Sequence, residues 1–287
     1  MPELPEVETI RRGLGKSILH KRISGVEIVN KKAVRGNAAD FVKSVKGERI
    51  EDVGRVGKLL MFRLSSSSYM LAHMKMTGQL IYRFDHKIVA GGHNLPHFTD
   101  KDLPTKYTWV IWTFSDGSKL YFNDMRKFGY LQIAGAAEQA KIFSGYGIEP
   151  LTKNFTLDRF REVLDKRKAP VKAILMNQKL IAGIGNIYAD EICFEAKIMP
   201  GRPAFKLAAA EVAALHKATE KILREAVECG GTTFSDYVNA HGGKGGYVDY
   251  LKVYRREKMK CVRCKKGIIQ KKRIGGRESR FCPVCQK

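Results

Sequence analysis

The sequence predicts an α+β chain: a strand-rich sandwich, then a helical segment, then a small cysteine-bound hairpin. Three observations carry this. Between positions 26 and 134 apolar and polar residues alternate at the two-residue period of strands. From Thr156 the apolar period lengthens to that of helices, and the last 27 residues hold two Cys-x-x-Cys pairs. With 287 residues, 44% of them hydrophobic, the chain can bury cores in two modest domains without disulfides.

Taken in order, Val7, Ile10 and Leu14 after Pro5 recur at helical spacing, so a helix starts almost at once, with Arg11 and Arg12 on its polar face. The runs "RVGKLLMFRL", "SYMLAHMKMTGQLIY" and "YTWVIWTFSDGSKLYF" read as strands, the last folded at a hairpin turn on Asp116 and Gly117. Many strands and few helices predict a β-sandwich over 1–135. A linker is expected at 136–152. Beyond it Leu157, Phe160, Val163 and Leu164 share a helical face, and Pro170 opens a second helix in "APVKAILMNQKL". After "IAGIGNIYADEICFEAKI" a long helix carries Leu207, Val212, Leu215, Ile222 and Ala226 and stops at Gly230 and Gly231. The helical domain is thus expected over 153–260, and a cysteine-bound hairpin over 261–287.

Charge narrows the function. Lys and Arg outnumber Asp and Glu by 52 to 29, a net +23 that attracts polyanions and opposes folding by self-repulsion. The excess is concentrated at the end: Lys252 to Lys287 holds fourteen basic residues against Glu257 and Glu278. Nucleic acid is the expected partner, set against a merely solvated basic tail. No apolar run is long enough to span a bilayer and the first fifteen residues lack the apolar stretch of a signal peptide, so a cytoplasmic protein with no membrane partner is expected.

The pairs Cys261/Cys264 and Cys282/Cys285 are separated by seventeen residues, a spacing suited to one tetrahedral zinc ion in preference to an iron–sulfur cluster or a redox dithiol pair. Four thiolates leave no open position, so the zinc is expected to be structural, holding a hairpin tipped by "KKRIGGR". Cys193 and Cys229 lie in helical patterns and read as buried hydrophobes; His93 and His97 are a weaker metal pattern.

Seven segments, "PELPEVET", "GKLL", "HMKMTG", "NDMRKFG", "IAGIGNIYADE", "GGTTFSDYVN" and the four-cysteine ribbon, make the chain resemble the formamidopyrimidine-DNA glycosylase family over nearly its whole length. The resemblance implies a β-sandwich, a helix-two-turn-helix domain and a zinc finger, with damaged double-stranded DNA bound by a monomer between the two halves. It also implies a bacterial-type, nucleoid-associated repair enzyme. The expected activity is excision of oxidised purines (8-oxoguanine and formamidopyrimidines) followed by strand cleavage at the abasic site.

The resemblance also gives roles to particular residues. Pro2, freed of Met1, would be a secondary-amine nucleophile whose Schiff base is a fixed iminium. Glu3 would carry protons and Glu6 would support the amine or a water. Lys58 would contact the phosphate at the lesion and donate a proton. Met76, Arg126 and Phe128 would fill the gap left by the extruded nucleotide, Arg126 facing the orphaned base. Asn186 and Arg277 would grip phosphates, Arg277 also donating a proton in the second elimination. The stretch "GGTTFSDYVNAHGGKGGYVDYLKV" resembles the loop that closes on an extruded 8-oxoguanine, favouring this activity over that of endonuclease VIII-type relatives.

Read without the resemblance, Met-Pro-Glu is an ordinary helix entry, Lys58 a strand lysine pointing to water, Met76 and Phe128 core residues and Asn186 a helix cap. A zinc-ribbon DNA-binding protein without activity is the alternative. Three departures stand out: the cysteine spacer is one residue longer than the family's usual sixteen, "TKYTWV" replaces a common His-containing segment, and 84–104 is an enlarged loop.

Overall fold

The computed structural model describes residues 1–85, 87–93, 103–232, 237–238 and 246–287. Its first helix, α1, spans Leu4–Ile18, with Glu3 in extended conformation before it and Pro5 in its first turn, where a missing N–H costs nothing. Leu4, Val7, Ile10, Leu14 and Ile18 form one fully buried stripe. On the polar face Arg11 and Arg12 converge on Glu8, which also binds Arg55 at 2.8 Å.

Two antiparallel sheets follow from the alternating segments. One has the order β1 (Ile23–Ile28), β7 (Thr108–Phe114), β8 (Lys119–Asp124), β5 (Gly78–Phe84), β6 (Lys87–His93) and β10 (Tyr237–Val238). The other runs β2 (Ile50–Val56), β3 (Leu59–Leu64), β4 (Tyr69–His73) and β9 (Tyr130–Ala134). In register, Phe62 faces Met70, Leu80 faces Phe122 and Trp112 faces Leu120. These side chains, with Val7, Ile10 and Leu14 of α1 and with Phe41 and Val45 of α2 (Ala38–Val45), make one core, as expected of a sandwich. Trp112 is fully buried in it, a side chain whose truncation costs about 3–5 kcal/mol in such cores. Helix α1 comes so close to β6 that a Cβ on Gly91 would stand 2.2 Å from Ile10. A side chain there would push the helix away.

The chain divides into two compact units, Met1–Ser144 with Cys229–Val248, and Gly145–Glu228 with Asp249–Lys287. The segment Cys229–Val248 therefore returns to the sandwich, through β10 on β6 and Gly231–Thr232 on α1, whereas the sequence pattern puts 153–260 together. The expected linker contains a helix, α3 (Ala136–Ser144), with no buried residues of its own.

The second unit is helical, as the change of period predicts. Thr156 caps α4 (Leu157–Leu164), Pro170 precedes α5 (Val171–Leu175), and α7 (Ala209–Glu228) ends before Gly230; Leu207 falls in the preceding turn. Between them α6 (Asn186–Glu195) is buried on nearly all sides, which explains its lack of an apolar stripe. The chain closes with a hairpin of β11 (Gln270–Ile274) and β12 (Arg277–Phe281), turned on Gly275 and Gly276, both at positive φ as a two-residue turn requires.

Candidate active site

The start of α1 builds the site of the first unit. Pro2, Glu3 and Glu6 are all buried. The Glu6 carboxylate accepts the Glu3 N–H through Oε2 at 2.8 Å and the Thr232 N–H through Oε1 at 2.8 Å, so it ties the chain start to the segment after α7. Gly231, at φ +86°, would bring a Cβ within 2.9 Å of Glu6 Oε1, so no side chain fits beside the carboxylate. The terminal amine on Met1 is held below its ordinary value: burial disfavours its charge, Glu3 and Glu6 favour it, and Lys58 and Arg126 again disfavour it.

Lys58 lies in the tight turn between β2 and β3, after Gly57, and is only 5% exposed. The reading as a water-facing strand lysine is thereby overturned. Close by, the His73 ring is pushed down to about 3, first by burial and then by the charges of Lys75, Lys58 and Arg35, and is neutral at ordinary pH. Its Nδ1 accepts the Lys75 N–H at 3.0 Å, and its ring lies 5.6 Å from that of Tyr130, over which the Arg35 guanidinium sits at 3.3 Å. Sequence reasoning missed this cationic and aromatic group, although His73 stands inside the quoted "HMKMTG".

Met76 and Phe128 are not core residues. They are 41% and 59% exposed, on the turns that follow β4 and β8. Arg126 is exposed on the second turn and within electrostatic range of the terminal amine. The first unit thus holds a buried chain start with two carboxylates and a buried lysine, and three exposed side chains, Met76, Arg126 and Phe128, on two turns.

In the second unit Asn186 and Arg277 share a pocket of about 470 Å³, lined also by Tyr254, Lys271, Lys272, Arg273, Arg280 and one acid, Glu278, which pairs with Lys271 and Arg280. Asn186 opens α6, whose first turn has no acidic residue, and its buried Oδ1 has no hydrogen-bond partner among the described residues. A helix start, an orphaned amide and several cations suit an anion. The hairpin is fixed to the helices by a buried pair that sequence reasoning missed: Lys172 meets Asp190 at 2.7 Å and donates to the Glu278 carbonyl at 2.7 Å, while Asp190 accepts the Arg280 N–H at 3.0 Å. Burial raises the Asp190 carboxyl to about 7, against the pull of Lys172. A lone lysine in "APVKAILM" gives no sign of this role.

Cys261, Cys264, Cys282 and Cys285 place their Sγ atoms within 4.8 Å of one another. The pairs Cys261–Cys285 and Cys264–Cys282 stand at 3.7 and 3.8 Å. A tetrahedral ion with metal–sulfur bonds of about 2.3 Å has sulfur–sulfur edges of about 3.8 Å, so the donors fit a structural metal. The Gly267 N–H donates to Cys264 Sγ at 3.3 Å and, as the main cause, lowers that thiol to about 6. Cys193 is buried and unreactive in character, its thiol raised by desolvation. His97, residues 233–236 and 239–245 of the glycine-rich stretch, and residues 86 and 94–102 lie outside the described residues, while 87–93, expected within an enlarged loop, form β6.

Comparison with known proteins gives this arrangement its family. The sequence model for the formamidopyrimidine-DNA glycosylase N-terminal domain matches residues 1–131, and that for the family's H2TH domain matches 146–238. The chain belongs to the formamidopyrimidine-DNA glycosylase family. It is 40% identical over 290 aligned positions to a formamidopyrimidine-DNA glycosylase of Pelotomaculum thermopropionicum, covering all of this chain and 99% of the relative. Among solved structures it resembles a glycine-to-proline variant of Lactococcus lactis Fpg in complex with Fapy-dG-containing DNA, with TM-score 0.87, 31% identity and full coverage of both chains. The wild-type Lactococcus lactis protein in complex with DNA containing an oxidised pyrimidine is matched with TM-score 0.87 and 32% identity, again over both whole chains. Membership fits the sandwich, the helical unit and the four-cysteine hairpin alike. Among the described residues no helix is long and apolar enough to cross a membrane.

Proposed function

We propose that the protein is a bifunctional DNA glycosylase and abasic-site lyase that removes oxidised purines from duplex DNA. Once Met1 is cleaved, the Pro2 nitrogen attacks C1′ of the damaged nucleotide; the bond from C1′ to the base breaks and the base leaves with a proton. Glu3 donates a proton to the ring oxygen as the sugar opens, and the secondary amine becomes an iminium. That cation accepts the electron pair of the C2′–H bond as the proton is lost, and the enamine so formed returns the pair to expel the 3′ phosphate; loss of the C4′ proton then expels the 5′ phosphate, and water hydrolyses the Schiff base to free Pro2. The observation that carries this reading is the convergence of buried Glu3, Glu6 and Lys58, with exposed Arg126, on the terminal amine, while Met76 and Phe128 stand exposed on the turns after β4 and β8.

Lys58 and Arg277 are the phosphate contacts and proton donors in this scheme, and Asn186 shares the phosphate pocket with Arg277. Reaching C1′ requires extruding the nucleotide, and Met76 and Phe128 supply apolar surface for the gap while Arg126 can bond the partner base. Cys261, Cys264, Cys282 and Cys285 would hold one zinc ion, which supplies rigidity to the hairpin and takes no part in the reaction. The protein would act as a monomer on damaged DNA in a bacterial cytoplasm, at the nucleoid.

Borohydride trapping tests the mechanism. Wild-type protein on an 8-oxoguanine duplex should give a covalent adduct mapping to Pro2, and Pro2→Gly should not be a substitute of equal rate. Absence of an adduct, or its location on a lysine, overturns the reading. The relative in Lactococcus lactis was captured with an oxidised pyrimidine, so lesion choice is tested by comparing 8-oxoguanine and thymine glycol opposite each base; a preference for thymine glycol would point to endonuclease VIII-type specificity.

A further inference from the structure

The two turns that carry Met76 and the Arg126–Phe128 segment meet at one fully buried acid, Asp124, the last residue of β8. Its Oδ1 accepts the Arg126 N–H at 3.1 Å and its Oδ2 accepts the Phe128 and Gly129 N–H groups at 2.9 and 2.6 Å. The Thr77 hydroxyl, next to Met76, donates to Asp124 Oδ1 and itself accepts the Arg126 N–H at 2.8 Å. Both turns are strained in the same way. Lys75 lies at φ +49° and Lys127 at φ +63°, left-handed backbone that a lysine adopts only at a cost. Each strained residue is the neighbour of a wedge side chain.

A carboxylate with no access to water is costly unless its oxygens are satisfied, and here four donors from two separate turns satisfy it. We propose that Asp124, through Thr77, is a positioning residue that locks the Met76 turn and the Arg126–Phe128 turn into a single wedge for the opened duplex. The inference rests on the proposed function, because a wedge has meaning only where a nucleotide is extruded. Asp124 touches no reacting atom in this scheme. Its effect should appear in reading the partner base and not in the chemistry at C1′.

The test uses the full-length protein on duplexes with 8-oxoguanine opposite C or A, and on a single-stranded abasic oligonucleotide, where no wedge is needed. Asp124→Asn leaves at least one backbone N–H without an acceptor, and should lower duplex excision and C-over-A discrimination by about tenfold each. Cleavage of the single strand should stay within about twofold of the parent, since a purely structural defect would lower both. Should Asp124→Asn fail to fold, Thr77→Val decides: it removes the bridge between the turns but leaves the three backbone bonds of Asp124, and should reduce discrimination, while Thr77→Ser restores it. Arg126→Ala is the control. If it changes discrimination and Thr77→Val does not, the positioning role is overturned. If Arg126→Ala itself changes nothing, the wedge reading falls, and the inference with it.

Discussion

Glu6 joins two segments 226 residues apart in sequence, and replacing it with glutamine isolates what that join is worth. The carboxylate is 3% exposed and accepts two backbone N–H groups at 2.8 Å, one on each oxygen. Glutamine is nearly the same size but offers a single acceptor. Its amide NH₂ must then face either the Glu3 or the Thr232 N–H, donor against donor, with no water able to intervene. A charge-assisted bond is worth about 1.5–3 kcal/mol and the orphaned buried donor adds its own desolvation cost, so about 3 kcal/mol is expected for Glu6→Gln. For a unit of this size that is a fall of roughly 10 °C in the melting midpoint of the sandwich. Differential scanning calorimetry reads it, and amide hydrogen exchange at Thr232 should quicken in parallel. A midpoint within about 2 °C of the parent, with unchanged exchange at Thr232, would refute the argument that this carboxylate clamps the loop.

Glu8 is raised by burial but more strongly lowered by the Arg11 hydrogen bonds, the Arg55 charge and the Arg12 bond, to about 2. Its depressed value means a contribution of about 2 kcal/mol present above the ordinary carboxylate range and lost as pH falls from about 4.5 toward 2; a stability-versus-pH curve for Glu8→Gln should run parallel to the parent's below that window and beneath it above, and identical curves would contradict the pairing. Cys261→Ser, or chelation, should release one zinc per chain by native mass spectrometry and remove DNA affinity while the sandwich melts as before; unchanged affinity would reject a structural metal. Arg277→Ala should weaken binding to matched duplexes of any sequence and reduce the salt slope of log affinity by about one, measured by fluorescence anisotropy; an unaltered slope would remove Arg277 from the phosphate contacts.

Local pattern made much of this legible. The α1 stripe, the Gly-Gly hairpin tip and the cysteine pairs are each encoded within a few residues, and each stands where the pattern predicts, whereas the runs "RVGKLLMFRL" and "SYMLAHMKMTGQLIY", read as strands, are each broken by a turn, at 57–58 and 75–77. The exposed Met76 and Phe128 could not be told from core residues by type alone, because only the turns around them decide their direction. Least legible were contacts between distant segments. Nothing near Glu6 announces Thr232, nothing in "APVKAILM" announces that Lys172 holds the hairpin, and the quoted "NDMRKFG" hides its organising acid in plain view.

These hidden contacts share one physical form. Asp124, Asp190 and Glu191 are buried acids that accept backbone N–H groups; Glu191 takes those of Lys252, Val253 and Tyr254, as Glu6 takes two. For Asp190 and Glu191 burial pushes the carboxyl up, and the donated N–H groups oppose that drive. The choice has a consequence for charge. Among the described residues Glu3, Glu6, Glu8, Asp124, Asp190 and Glu191 are buried, against Lys58, Lys172 and Arg280. Acids are withdrawn from the surface more often than bases, so the water-facing surface carries a larger positive excess than the composition states. A chain that already repels itself thereby deepens the field that attracts a polyanion, while its scarce acids are used as internal clips for the loops and the hairpin that present its cations.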